Sequence, residues 1–188
     1  MKQEFLAPHR QELLAEASGE ILEIGFGTGL NLAYYPPDVR RITAVDGNAV
    51  MERKANERIE RSEIEVDQRV LDCERLPFET GSFDCVVSSW TLCSIEHVDQ
   101  ALAEVFRVLK PRGRLLFLEH GLSPEPRIQK WQRRLKWLEM RLAGGCRLDR
   151  DIKSIVTIQP FASVEVDEFS LGAFPKTHCF MYRGMGIK

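Results

Sequence analysis

Apolar runs of strand length alternate along this chain with amphipathic stretches of helix length. The strand candidates are residues 20–25, 41–46, 64–70, 83–89 and 113–120. Alternation of this kind predicts a mostly parallel sheet covered by helices on both faces, an α/β doubly wound fold. Between the strands, "AVMERKANERIER" (49–61) carries charge on most faces and reads as a surface helix. "VDQALAEVFRVLK" (98–110) instead sets Val98, Leu102, Val105 and Leu109 on one stripe, as a crossover helix requires. Pro111 and Gly113 then stop that helix and turn into the fifth strand. A helix is expected at about 3–17. The segment 124–145 has basic and aromatic residues at helical spacing and ends in a glycine pair, after which Asp149 is expected to cap a short helix over 150–158. The last two strand candidates, 163–170 and 178–188, are joined by a connection too short for a crossover helix. They are expected to pair antiparallel, making seven strands in one domain spanning residues 1–188.

Composition narrows the field. Lys and Arg number 26 against 28 Asp and Glu, a net charge of −2, so no global field of either sign draws in nucleic acid or an anionic membrane. The five cysteines, Cys73, Cys85, Cys93, Cys146 and Cys179, are odd in number and never in a C-x-x-C arrangement. That fits neither a disulfide framework nor a zinc site, so no metal is expected and a reducing cytoplasm is. Cys93 and Cys146 raise the idea of thiol or metalloid chemistry, although small buried hydrophobe is the commoner role of a lone cysteine. Charges at Glu4, Arg10, Glu12 and Glu16 interrupt any secretory core near the N-terminus, and no apolar run reaches 18 residues.

The stretch "ILEIGFGTGLNLAYYP" (21–36) is the first to carry chemistry. A strand ending at Ile24 and turning through Gly25-Phe26-Gly27-Thr28-Gly29 into a helix near Leu30 points bare amides into a cleft at the strand ends. The dinucleotide fingerprint G-x-G-x-x-G/A requires a small residue where Leu30 stands, which argues against a nicotinamide-dependent oxidoreductase. The pattern present is E-x-G-x-G-x-G. Asp46, 17 residues after Gly29 and at the end of the second strand, is placed to accept from both ribose hydroxyls. Asp72, just after the third strand, can accept from an adenine amino group, with Leu76 and Phe78 as apolar neighbours for the ring. Together these parts describe an adenosine with an amino-acid tail.

With "ILEIGFGTGLNL", "AVDGNAVME" and the run from "DCERLPFE" to "FLEHG" in order, residues 20–121 resemble the class I S-adenosylmethionine-dependent methyltransferases, in the group that includes ubiquinone/menaquinone-biosynthesis enzymes. A closer likeness to the alkyl thiol methyltransferases lies in "YYP", "LCSI", "FLEH", "GGCRLDRD" and the C-terminal "YRGMGIK". The resemblance implies a Rossmann-like sheet of order 3-2-1-4-5-7-6 with the last strand antiparallel. It also implies S-adenosylmethionine as cofactor and S-adenosylhomocysteine as product. Gly25, Gly27 and Gly29 would line the methionine part, with Glu23 bracing the loop. Asp46 would hold the ribose, flanked by Gly47 and Asn48. Asp72 and the backbone of Cys73 would meet the adenine, and Ser88 and Ser89 would lie close to the sulfonium. Cys73 stands where the family more often has alanine, which tightens the adenine slot.

Methyl transfer from a sulfonium is an in-line displacement, so alignment and exclusion of water matter most and a dedicated base is optional. A thiol acceptor, with an unperturbed pKa of about 8.5, asks least of its surroundings. His97, His120 and His178 are candidate helpers, and His120 at the end of the fifth strand is the expected base. The N-terminal helix and an insert at 124–148 are left over once the cofactor core is built. They are expected to roof a small, apolar acceptor such as a thiol, phenol or quinol, with no room for a domain that recognises nucleic acid. In the insert, Trp131, Leu135, Leu138 and Leu142 form a stripe that serves as a lid or as a peripheral membrane contact through 128–142. The rival reading is a non-catalytic regulator or scaffold that holds S-adenosylmethionine or S-adenosylhomocysteine, since methyl transfer leaves no obligatory catalytic residue.

Overall fold

A computed structural model describes residues 3–142, 144–172 and 175–188. Ala143, within the insert, and Ala173 and Phe174, within the last connection, lie outside them. Seven strands form one sheet: β1 (Ile21–Ile24), β2 (Arg41–Asp46), β3 (Glu65–Val70), β4 (Phe83–Ser89), β5 (Leu109–His120), β6 (Ser163–Ser170) and β7 (Phe180–Ile187). Their order is β3-β2-β1-β4-β5-β7-β6. Strands β1 to β5 run parallel, and β7 pairs antiparallel with both β5 and β6. Fold class and strand order are those the sequence and its resemblance implied.

All four residues of β1 are buried, as a strand covered on both faces must be. Its side chains alternate between two cores. Leu22 and Ile24 join Val86, Leu102, Val105, Leu115 and Phe117 on the side of α3 (Val98–Val108), while Ile21 joins Leu14, Ile42, Val87, Leu116 and Leu118 on the side of α1 (Ala7–Leu14). The outer strands are polar instead: "EVDQRV" in β3 and "SVEVDEFS" in β6 put charge along the sheet's two edges, which discourages further strand addition.

Four elements depart from the sequence reading, each for a local reason. The fifth strand begins at Leu109 rather than 113, because the turn expected at Pro111–Gly113 is absorbed as a bulge. The β4 register jumps from Phe83↔Leu109 to Cys85↔Arg114, and Arg112 takes a φ of 65°. The glycine loop leads into a single 3₁₀ turn, Leu30–Ala33, and Pro36-Pro37 follow before any longer helix can form. The N-terminal segment divides into a 3₁₀ turn, Gln3–Leu6, and α1. Finally, α5 spans Ile152–Thr157 and is capped by Asp151, whose Oδ1 accepts from the Ser154 amide at 3.1 Å; Asp149 instead pairs with Lys136 at 2.9 Å. Between β2 and β3 runs α2 (Ala49–Glu60), and the insert is built on α4 (Pro126–Leu142). Among the described residues no helix is long and apolar enough to cross a membrane.

Candidate active site

Parallel strands leave their C-terminal ends on one rim of the sheet, and a cleft of about 740 Å³ opens there, between the turns that follow β1 to β4. The glycine turn forms its floor. Gly25 and Phe26 donate their amides to the Val45 carbonyl at 2.7 and 3.2 Å, pinning the turn to β2. Gly25 and Gly27 both adopt left-handed φ, 67° and 58°, where any L side chain is strained. Their surroundings differ. A Cβ on Gly25 would fall 1.8 Å from Thr91 Oγ1, whereas one on Gly27 would meet nothing closer than a carbonyl at 3.8 Å. Gly25 therefore permits close approach of β1 and β4, and Gly27 presents bare backbone to the cleft.

The Gly27 amide donates to Asp46 Oδ2 and the Asn48 amide to Asp46 Oδ1, both at 2.8 Å, so the carboxylate at the end of β2 is locked in orientation. Each oxygen keeps acceptor capacity, which suits it to a vicinal diol. Asp72 and Cys73 continue the wall beyond β3; Asp72 is exposed, and its Oδ1 accepts from the Glu74 amide at 2.9 Å. Burial and the neighbouring Asp72 carboxylate push the Cys73 thiol up to about 12, so it lines the wall as a neutral group.

Below the floor lies a buried polar chain. Arg10 of α1 donates to Asn31 Oδ1, and Asn31 Nδ2 donates to Glu23 Oε1 at 2.9 Å and to Ser89 Oγ at 3.2 Å. Tyr35 donates its hydroxyl to Glu23 Oε2 at 2.7 Å. Burial raises the Glu23 carboxyl to about 7, against the opposing hydrogen bonds of Tyr35 and Asn31 and the charge of Arg10. Glu23 thus ties α1, the 3₁₀ turn and Tyr35 together beneath the loop. Arg10, Asn31 and Tyr35 were not singled out from the sequence, because nothing in their spacing reveals that α1 folds back beneath the glycine turn.

The exit of β4 makes the remaining wall. Trp90 has a φ of 58°, a genuine outlier for a bulky residue, and its ring stacks on His120 with centroids 4.8 Å apart. Thr91 ties this exit to the glycine turn through its hydroxyl, which lies 3.3 Å from the Ile24 carbonyl. Behind it, the buried Glu119 accepts through Oε1 from Ser88 Oγ at 2.8 Å and from the amides of Thr91 and Leu92 at 3.0 and 3.1 Å.

Of the residues expected at the site, Glu23, Gly25, Gly27, Asp46, Gly47, Asn48, Asp72, Cys73 and Ser89 line the cleft. Three do not. Gly29 caps the 3₁₀ turn and faces a neighbouring depression with Pro36 and Pro37. Ser88 points into the interior to Glu119. His120, 3% exposed, stands behind Trp90 with its Nε2 3.0 Å from Cys146 Sγ. The other two candidate histidines are elsewhere: His97 is exposed at the start of α3, and His178 Nε2 lies 3.2 Å from Glu139 on α4.

The insert closes onto this rim. Arg150 reaches back to the Leu92 and Ile95 carbonyls, and the Arg147 amide donates to the Cys93 carbonyl at 2.9 Å. Gly144 of the same segment lines the cleft. On α4, Gln132 is fully buried and serves backbone after β5, accepting from the Ser123 amide at 3.0 Å and donating to the Gly121 and Thr177 carbonyls at 2.9 and 3.0 Å.

A seven-stranded sheet of this order, with a glycine turn after β1 and an acid at the end of β2, defines the methyltransferase class. Comparison with known proteins agrees: residues 22–117 match the family model described as "Methyltransferase domain". Thiol S-methyltransferase TMT1B of Rattus norvegicus is 32% identical over 157 residues, covering 78% of this chain and 62% of that protein. The ubiquinone/menaquinone biosynthesis C-methyltransferase UbiE of Cupriavidus necator is 30% identical over 172 residues, 82% of this chain and 71% of its own. Among solved structures, YcgJ of Bacillus subtilis superposes with a TM-score of 0.76 at 20% identity, covering 96% of this chain and 98% of YcgJ, a likeness of fold. The chain belongs to the class I S-adenosylmethionine-dependent methyltransferases, enzymes that draw their methyl group from that cofactor. It spans about three fifths of the length of the rat thiol S-methyltransferase.

Proposed function

We propose that this protein binds S-adenosylmethionine in the β1–β4 cleft and transfers its methyl group to a small apolar thiol, ahead of a phenol or quinol. The cofactor fits the residues present: bare backbone at Gly27 for the methionine end, the oriented Asp46 carboxylate for the ribose, and Asp72 with Cys73 for the adenine. When bound, S-adenosylmethionine supplies an electrophilic methyl on a sulfonium. The protein's part is to hold that methyl in line with the acceptor and to keep water out.

One observation favours a thiol: among the described residues that line the cleft there is no histidine or lysine. An acceptor that must lose its proton without a histidine or lysine to take it is best served by the group with the lowest pKa, and a thiol at about 8.5 lies below a phenol at about 10. The rat relative's description as a thiol S-methyltransferase points the same way. With Trp90 and Ile95 lining the cleft, the acceptor is apolar and small. No nucleic-acid partner is proposed, given the net charge of −2. Free cysteines fit the cytoplasm, and Trp131, Trp137 and Leu142, exposed on α4 among arginines, suit a peripheral membrane contact.

The test supplies S-adenosylmethionine with ethanethiol or, separately, with phenol, and follows S-adenosylhomocysteine and the methylated product by mass spectrometry. Methyl thioether formed at least tenfold faster than anisole supports the reading. Anisole formation alone overturns the acceptor, and tight binding of both sulfur nucleosides without turnover of either establishes the scaffold reading instead. Asp46→Ala is expected to weaken S-adenosylmethionine binding at least tenfold by calorimetry, because it removes the ribose acceptor and frees the amides of Gly27 and Asn48.

A further inference from the structure

Behind the Trp90 ring the fold gathers two thiols and an imidazole that the sequence keeps far apart. Cys93 follows β4, His120 ends β5, and Cys146 lies in the insert. Their candidate ligating atoms all lie within 4.8 Å of one another, and the three residues are 1%, 3% and 7% exposed. The sulfurs are free thiols. Leu148 and Leu135 pack against the two cysteines. One ring nitrogen of His120 faces Cys146 Sγ, and the other, Nδ1, is buried with no hydrogen-bond partner among the described residues.

Two buried thiols and a buried imidazole within ligating reach of one another, with His120 Nε2 3.0 Å from Cys146 Sγ and Cys93 Sγ 3.5 Å from Ser94 Oγ, are a donor set suited to a cation. Two thiolates and an imidazole are the donor set that thiophilic, borderline-soft divalent ions select over magnesium or calcium. The spacing fits as well. Ligands held tetrahedrally at zinc distances of about 2.3 Å to sulfur and about 2.0 Å to nitrogen lie roughly 3.5–3.8 Å apart. The observed contact of 3.0 Å and limit of 4.8 Å bracket that range, so side-chain adjustments of roughly an ångström close the site. We propose that Cys93, His120 and Cys146 form a binding site for one zinc-like, thiophilic divalent cation, three protein ligands leaving a fourth position for water or another small ligand. Against the sequence expectation of no metal, the three ligands come from separate elements, so spacing along the chain does not reveal them.

The consequence is mechanical. Cys146 sits beside Gly144 of the cleft wall, and Arg147 already hydrogen-bonds to the Cys93 carbonyl. A cation bridging the trio would fasten the insert to the ends of β4 and β5, fixing the wall behind the acceptor. This inference stands apart from the methyl-transfer reading, and its test contains neither S-adenosylmethionine nor acceptor.

Metal-free, phosphine-reduced protein is titrated anaerobically with Co²⁺ and then Zn²⁺. One equivalent of Co²⁺ should produce a near-ultraviolet thiolate-to-metal charge-transfer band and the visible bands of a tetrahedral ion, both abolished by Zn²⁺. Cys93→Ser and Cys146→Ser should each weaken binding at least a hundredfold, with Cys179→Ser unchanged. Because a core substitution can unfold the chain, X-ray absorption on the zinc-loaded wild type provides a second measurement. Two sulfurs near 2.3 Å with nitrogen near 2.0 Å are expected. No binding tighter than micromolar, bands that survive both serine variants in folded protein, or a zinc shell without sulfur would each overturn the proposal.

Discussion

Glu23 shows how a single side chain couples the cofactor floor to proton concentration. Its carboxyl, buried beneath the glycine turn, titrates near 7 in the fold against an ordinary value of 4.5. A raised acid pKa means that the folded state binds the proton more tightly than the unfolded one, so this group's contribution to stability falls as pH rises from about 4.5 to 7. The shift corresponds to something on the order of 3 kcal/mol across that window. Glu23→Gln keeps partners for Tyr35 and Asn31 while removing the titration. Its melting temperature should therefore vary less than the wild type's between pH 4.5 and 7, as a thermal-denaturation series would show. At Gly25 the constraint is steric. Gly25→Ala imposes a left-handed alanine and drives Cβ into Thr91, so a loss of about 2 kcal/mol or more in denaturant unfolding is expected, with S-adenosylmethionine binding lost alongside. Glu23, Gly25 and Asp46 were legible in the sequence because the glycine turn and the end of β2 are local features. Arg10, Tyr35 and Trp90 were not, since their roles depend on which distant backbone passes beneath or beside them.

Among the elements, α4 inverts the usual logic of an amphipathic helix. Its central inward residue is a glutamine, and large apolar residues such as Trp131, Trp137 and Leu142 face outward. The stripe of Trp131, Leu135, Leu138 and Leu142 read from the sequence is real as a pattern, yet half of it is exposed. Periodicity reports a face and does not say what that face meets. Gln132 is buried because the chain after β5 leaves backbone groups without strand partners. Gln132→Leu strands the Ser123 amide and the Gly121 and Thr177 carbonyls, at about 1–3 kcal/mol for each group left unpaired. The expected result is a clear drop in melting temperature, measured by calorimetry, with the cleft residues themselves untouched. The strands were read with most ends placed within a residue, because a sheet covered on both faces writes its apolar runs plainly. The bulge at Leu109–Gly113 was hidden, as its turn residues resemble those of a loop between a helix and a strand.

Taken as a whole, the molecule divides its labour across the sheet. On the proposed reading, the cofactor lies over the ends of β1 to β3, and the acceptor lies between the exits of β4 and β5 and the insert. The order of β1 to β5 follows from the central hundred residues, whereas the proposed acceptor side also needs the insert that lies beyond them. Arg10, which arrives on α1, lines the same cleft, so a cofactor bound there would be a thermodynamic partner of α1. Whatever S-adenosylmethionine gains from an assembled floor, α1 must gain in return as resistance to local opening. Amides of α1 should then exchange with deuterium more slowly when the cofactor is bound, and the first helix of this chain would report, from the far side of the glycine turn, whether the cleft is full.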